Sequence, residues 1–284
     1  MKSGFVVLVG RSNVGKSTLL NTLVGTKISA VTHKPQTTRH AIQGVLTAPE
    51  GQIVFVDTPG VFKEVSGALS KALTKTVHDS LKGVDVILYV ADPTRSIGAE
   101  ERATLAMVAA LSIPKLLVIN KSDLPENDKE YAEEYRALAS HFDGIFEVSA
   151  LRARHVQPLI DQVFALLPEG EPMYPENQKT NITDYFWVAE TIREKIFLYT
   201  EDELPYATHV EVESMEEKGA MLVITAHILT NEERYKKMLI GVGAKKIKEI
   251  GVAARQELEA ATNKKIYLDL QVDVDPHWVE RLSA

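Results

Sequence analysis

Between a run of β-formers that ends at Val9 and a helix-period stretch that begins at Lys16, the chain reads Gly10-Arg11-Ser12-Asn13-Val14-Gly15-Lys16-Ser17. This fits G-x-x-x-x-G-K-[ST], a pattern that constrains the fold as well as the ligand. Backbone N–H groups can curl round phosphate oxygens only where glycine frees the chain, and the helix N-terminus adds the positive end of its dipole. Strand, loop and helix are therefore needed in that order, which opens an α/β sheet. Gly10, Ser12, Asn13, Val14 and Gly15 would line the phosphates. Lys16 would reach the β- and γ-phosphates, Ser17 would place its hydroxyl on Mg²⁺, and Thr18 could contact the α-phosphate.

The rest of the first half continues the alternation. Apolar runs at 5–9, 53–56, 84–90, 115–119 and 145–148 suit strands buried on both faces. Helix-period segments lie near 17–24, 67–82, 99–111, 127–140 and 156–167. The expectation is a mostly parallel sheet with helices on both faces. The composition then shifts: Leu167 to Asn177 is rich in proline and polar residues and reads as a linker. Beyond it the pattern is helix 184–199, strand 206–214, strand 220–229, helix 231–239, helix 245–262 and strand 265–273, an α+β order with a hairpin turn at Gly219. The expected division is a nucleotide-binding domain over 1–170, a linker over 171–180 and a second domain over 181–284. A length of 284 residues suits two domains.

Three further motifs fall at strand ends, where open α/β sheets bind ligands. Asp57-Thr58-Pro59-Gly60 puts a carboxylate where it can hold Mg²⁺, and Gly60 can offer a backbone N–H to a γ-phosphate. Asn120-Lys121-Ser122-Asp123 is N-K-x-D. An ionised Asp123 can accept two hydrogen bonds from guanine, and adenine would leave it unsatisfied. Asn120 would tie this loop to the phosphate loop, and the Lys121 stem would cover the base. Ser149, Ala150 and Leu151 would offer backbone N–H groups to the guanine carbonyl. Between the first helix and the next strand, Lys34-Pro35-Gln36-Thr37-Thr38-Arg39 supplies a threonine that could bind Mg²⁺ and sense the γ-phosphate; Thr38 is favoured, with Thr37 open. The metal set is then Ser17, Thr38 and Asp57, and the groups acting on the reaction are Lys16, Thr38, Gly60 and Asn13.

Where many GTPases carry a water-orienting Gln after Asp-x-x-Gly, this chain has Val61. A slow intrinsic hydrolysis rate is expected, helped by another group. By analogy with GTPases that lack that Gln, Asn13 would help hold K⁺ beside the phosphates.

In the second half, Ile240-Gly241-Val242-Gly243-Ala244 joins two helices and is close to the G-x-x-G loop with which KH domains clamp single-stranded RNA. The α-β-β-α-α-β order suits a type II KH fold. Arg234, Lys236, Lys237, Lys245, Lys246 and Lys248 fall in a window without acids. With Gly241, Val242, Gly243 and Ala244 they form the expected RNA-binding set. The net charge of −7 argues the other way until it is divided. Residues 1–170 hold 18 basic and 18 acidic residues, whereas 171–284 hold 14 and 21. Cysteine is absent, which removes disulfide partners and thiolate sites. Without an apolar run long enough to cross a membrane or a secretory leader, the chain reads as cytoplasmic. The alternative target of the basic stretch is an anionic membrane surface or a protein, as in a signalling GTPase peripheral to the cell membrane.

Together these residues resemble the Era family of bacterial ribosome-assembly GTPases, over essentially the whole chain. The resemblance extends to Lys34–Arg39, Tyr174-Pro175-Glu176, Val188-Ala189-Glu190 with Ile192-Arg193-Glu194-Lys195, Leu204-Pro205-Tyr206, and Ile247–Arg255. It implies a GTPase domain followed by a type II KH domain, with GTP or GDP and Mg²⁺ bound. It also implies binding to the 3′ end of small-subunit ribosomal RNA during maturation of that subunit. The family usually has Ile-Gly-Lys-Gly-Gly where this chain has Ile240 to Ala244. Val242 removes a cation and Ala244 adds a Cβ, so weaker RNA binding, or compensation from Lys245 and Lys246, is expected.

Overall fold

Strand β1 (Lys2–Val9) is buried along most of its length and lies at the centre of a six-stranded sheet. The computed structural model describes residues 1–60, 76–77 and 79–281. The sheet order is β2-β3-β1-β4-β5-β6, with β2 over Ile42–Ala48, β3 over Gly51–Asp57, β4 over Val86–Ala91, β5 over Lys115–Ile119 and β6 over Gly144–Glu147. All pairings are parallel except β2 with β3. The continuous apolar runs account for this: every residue of β3 and of β4 is buried, as strands covered on both faces require.

Helices α1 (Lys16–Val24), α2 (Ala99–Ala109), α3 (Ala132–Arg136) and α4 (Val156–Leu166) follow β1, β4, β5 and β6. The helix expected over 127–140 is instead a short α3 flanked by single 3₁₀ turns at Glu126–Asp128 and Ala139–His141. Most of the helix expected over 67–82 lies outside the described residues. Strand β2 has no counterpart in the sequence reading, because Gln43, Gly44 and Ala48 are poor strand formers.

The chain divides into two compact units, one of 1–29 with 38–181 and one of 30–37 with 182–284. The stretch 171–180, which reads as a linker, packs on the first unit. Val45 donates its N–H to Lys179 O at 2.8 Å and Thr180 Oγ1 donates to Gln43 O at 2.7 Å, so the segment covers the β2 edge. Gln52, fully buried on β3, accepts from the N–H groups of Met173 and Tyr174 and donates to Tyr174 O.

The second unit runs α5 (Asp184–Tyr199), β7 (Thr208–Lys218), β8 (Met221–Thr230), α6 (Glu233–Ile240), α7 (Lys245–Thr262), β9 (Lys265–Val274) and the short α8 (Trp278–Arg281). Its sheet order is β7-β8-β9, antiparallel then parallel. On β8, Leu222, Ile224, Ala226 and Ile228 alternate inward against Val188, Ile192 and Ile196 of α5 and Ile250, Ala254 and Leu258 of α7. Gly219, at φ 63°, turns the β7–β8 hairpin.

In this second unit the segment 30–37 is tied to α5. Val31 donates its N–H to Glu194 Oε2 at 2.9 Å, and Arg193 Nη2 donates to Thr37 O. Arg193 also pairs with Glu190, and Lys195 with Glu194 and Glu257. These bonds give a physical reason for the charged stretch from Glu190 to Lys195 on a largely buried helix.

Candidate nucleotide and RNA sites

The phosphate loop is shaped by glycines where a side chain has no room. A Cβ on Gly10 would lie 2.3 Å from Val90 O, and one on Gly15, at φ 95°, would lie 2.3 Å from Asn120 Nδ2. Asn13 also takes a left-handed conformation, at φ 62°. Lys16, at the first position of α1, folds over the loop and donates from Nζ to Gly10 O and Arg11 O, both at 2.9 Å. Burial lowers its pKa to about 8, against the pull of Asp57 and Glu101 towards the charged form.

Three oxygens converge beside it. Ser17 Oγ donates to Asp57 Oδ2 at 2.6 Å and lies 2.9 Å from Thr38 Oγ1. Ser29 Oγ donates to the same Asp57 Oδ2 at 3.0 Å. Asp57 is fully buried, and burial raises its carboxyl pKa despite Lys16. Its Oδ1 has no hydrogen-bond partner. An orphaned carboxylate oxygen beside two hydroxyls is a hard, all-oxygen donor set with too few ligands to cage an ion by itself. That fits Mg²⁺, which keeps most of its positions for water and phosphate. Thr37, by contrast, turns its hydroxyl to Lys34 O at 2.8 Å and to Thr32. Nothing in the sequence pointed to Ser29, whose role is visible only once β3 brings Asp57 to it.

Gly60 lies against the phosphate loop: a Cβ there would be 2.7 Å from Ser12 N and Cα. Val61 lies outside the described residues.

At the base end, Asn120 donates from Nδ2 to Val14 O at 3.0 Å and accepts the Ala150 N–H at 2.9 Å, so one side chain joins three loops. Ser149 Oγ donates to Asp123 Oδ1, and that bond lowers the Asp123 pKa and fixes the orientation of its carboxylate. Lys121 pairs with Asp92. Thr22, unremarked in the sequence, donates to Ala150 O at 2.7 Å. Thr18 sits one turn before it on α1, and Leu151 is exposed.

In the second unit, α6 ends at Gly241, φ 74° and ψ 174°, and a 3₁₀ turn over Val242–Ala244 leads into α7. Gly243 and Ala244 are left-handed, at φ 59° and 58°. Val242 is 96% exposed, so the tip presents an apolar side chain to solvent. Lys237, Lys245 and Lys248 are exposed, while Lys236 and Lys246 are half-buried. Arg234 pairs with Glu232 at 2.8 Å and stacks over the Tyr235 ring at 4.4 Å, and Lys246 lies 3.8 Å from Glu249. Two of the six expected cations thus also face local acids just outside the window. Among the described residues no group of three or more His, Asp and Glu is placed to hold a metal ion, and no helix is long and apolar enough to cross a membrane.

Comparison with known proteins finds relatives of both units. A family model described as a 50S ribosome-binding GTPase matches residues 5–121, and a KH-domain model matches 203–279. GTPase Era of Halothermothrix orenii is 38% identical over 283 residues, covering 99% of this chain and 95% of the relative. GTPase Era of Carboxydothermus hydrogenoformans is 42% identical over 285 residues, covering 98% and 94%. Among solved structures, Era in complex with MgGDPNP and nucleotides 1506–1542 of 16S ribosomal RNA superposes with a TM-score of 0.91 at 36% identity, covering 99% of this chain and 96% of that one. An Aquifex aeolicus Era variant bound to GDP·AlF₄⁻ gives 0.90, also at 36% identity and with the same coverage.

Proposed function

The chain belongs to the Era family of GTPases, and we propose that it hydrolyses GTP as a switch whose KH unit binds the 3′ end of small-subunit ribosomal RNA during assembly of that subunit, in the cytoplasm. One observation carries the reading: a single chain places a phosphate loop with an all-oxygen cation cluster in one unit and a glycine turn between basic helices in the other.

The residues divide the work by position. Backbone N–H groups from Ser12 to Ser17 and the charge on Lys16 bind and orient the triphosphate, and Gly60 offers its N–H on the γ side. Ser17, Thr38 and Asp57 would hold Mg²⁺, which neutralises phosphate charge during transfer. Asp123, oriented by Ser149, reads guanine, while Asn120 fixes the spacing between base and phosphate loops. Val61 can neither accept a proton nor orient water, so attack relies on charge stabilisation, with K⁺ held beside Asn13 as the proposed aid. Replacing K⁺ by Na⁺ should slow hydrolysis, and an unchanged rate removes that role for Asn13.

In cells, crosslinking of GTP-locked protein should recover small-subunit ribosomal RNA near its 3′ end. Reads absent from that RNA overturn the proposal. Liposome binding that survives RNase would instead favour an anionic membrane as the target of the basic stretch.

A further inference from the structure

The loop between β4 and α2, met so far only as the source of Asp92, exchanges arginines with the phosphate loop. Arg11 donates from Nη1 to Ser96 O at 3.3 Å, and Arg95 donates from Nη1 back to Ser12 O at 3.1 Å. The loop that carries Arg95 is itself held on several sides. Asp92, 1% exposed, accepts from the Thr94 N–H at 3.0 Å and from Thr94 Oγ1 at 2.8 Å, and its other oxygen pairs with Lys121. The Arg95 N–H donates to Asp92 O at 3.2 Å. Tyr135, buried behind the loop, donates its hydroxyl to Arg95 O at 3.2 Å, and the Tyr131 N–H donates to Pro93 O at 3.0 Å. Glu101 of α2, fully buried, accepts from Tyr89 and lies 3.7 Å from Arg11 Nη1.

Ser12 is thereby held from two sides. Arg95 fixes its carbonyl, and Gly60 lies against its N and Cα. Carbonyls bonded on the outside of a phosphate loop leave the N–H groups to face inwards, so fixing Ser12 O also fixes where those donors aim. Donors set in advance cost no reorganisation when charge develops on the phosphate, and small misplacements are expensive.

We propose that Arg95 is a positioning residue for GTP hydrolysis, acting through the Ser12 carbonyl to hold the phosphate loop in register with Gly60. The same network runs from Lys121 of the base-reading loop through Asp92 to Arg95, so the base end and the phosphate end share one brace. The proposal rests on the nucleotide-site reading above.

The test compares single-turnover GTP hydrolysis, GDP affinity and thermal midpoint for the full chain, R95A and R95K. R95A should lower the hydrolysis rate about tenfold while the GDP dissociation constant stays within about twofold. R95K, which keeps one donor but loses the planar fork, should fall between R95A and the parent. Millimolar guanidinium should restore rate to R95A and leave the parent unchanged, a rescue that a purely structural loss would not show. Rates within twofold of the parent for both variants overturn the proposal, as do rate and affinity that fall together with the thermal midpoint and are not rescued. Should R95A fail to fold, R95K alone decides by the same criteria. A parent that binds no guanine nucleotide overturns the nucleotide-site reading and the brace with it, whereas one that binds GDP but never hydrolyses GTP overturns the role of Arg95 in hydrolysis and leaves the nucleotide site standing.

Discussion

At the scale of single residues, backbone conformation and burial both lead to measurable expectations. Ala244 holds φ 58° and ψ 23° as the residue before α7. A left-handed L-residue costs roughly 1–2 kcal/mol, whereas glycine there loses roughly 0.5–1 kcal/mol of backbone entropy. Ala244→Gly should therefore stabilise the second unit by about 0.5–1 kcal/mol, read as a higher urea midpoint at unchanged slope. Lys16 carries the second expectation. Its pKa of about 8 in the nucleotide-free protein lies below the usual lysine value because burial opposes the charge. Between pH 8 and the ordinary lysine range the unfolded chain therefore binds more protons than the folded one, and this group's contribution to stability rises with pH there. A bound polyphosphate favours the ammonium, so binding above pH 8 should take up a proton and weaken as pH rises. Calorimetry at pH 8.5 in buffers of different ionisation enthalpy should show that uptake, and no buffer dependence would contradict it. Lys16, Asp57 and Asp123 lie where their motifs put them, at the start of α1, the end of β3 and the loop after β5, because each pattern spans only a few residues beside one element. Ser29, Thr22 and Arg95 were not readable in the sequence, because each acts through a tertiary hydrogen bond that no local spacing announces.

At the scale of elements, legibility followed burial. The strands of the first sheet that are covered on both faces are apolar runs and announced themselves, and the second unit's order of α5, β7, β8, α6, α7 and β9 matched its periodicities to within a few residues. Strand β2 and the stretch that covers it did not, since an edge strand depends on partners more than on its own side chains. Proline and polar residues from 168 to 177 have the composition of a free linker, but the backbone bonds of Lys179 and the side chain of Gln52 hold the stretch to β2 and β3. The attachment can be tested at Gln52, whose one buried amide serves both N–H groups and the carbonyl. Gln52→Ala leaves these groups without a partner, which should cost about 2–3 kcal/mol of local stability. Faster hydrogen exchange and protease cutting confined to 170–180 would be the result, and unchanged protection there would show that the stretch is held by other contacts.

At the scale of the whole molecule, charge is distributed by face more than by total. The excess acid lies entirely in 171–284, the same region that carries the cation window. Within the second unit, Glu211, Glu213, Asp269 and Asp273 stand on the side of the sheet turned away from the core, and His227 is bonded between Glu213 and Asp273. The cations lie instead on α6 and the start of α7, on either side of the glycine turn. A polyanion is thus repelled from the sheet face and attracted to the helical hairpin, which restricts docking to one edge despite an unfavourable total. Val242 sits at the tip of that edge, where nearly full exposure means a longer polar side chain meets no packing. For single-stranded nucleic acid each added phosphate contact steepens the salt dependence of log K by about 0.7, which amounts to roughly fivefold tighter binding at 0.1 M salt. Val242→Lys should therefore bind small-subunit RNA about fivefold more tightly at 0.1 M salt, with the gain shrinking towards nothing near 1 M. Combined with Ala244→Gly, which removes a Cβ from the turn where backbone and phosphate would approach on the proposed reading, the gain should be at least as large. A titration series across salt concentrations separates the effects: an added contact changes slope, whereas a better-shaped turn shifts all points equally. Equal slopes and affinities for the parent and both variants would mean that RNA does not engage this turn, and that the compensation expected of Lys245 and Lys246 has no contact there to replace.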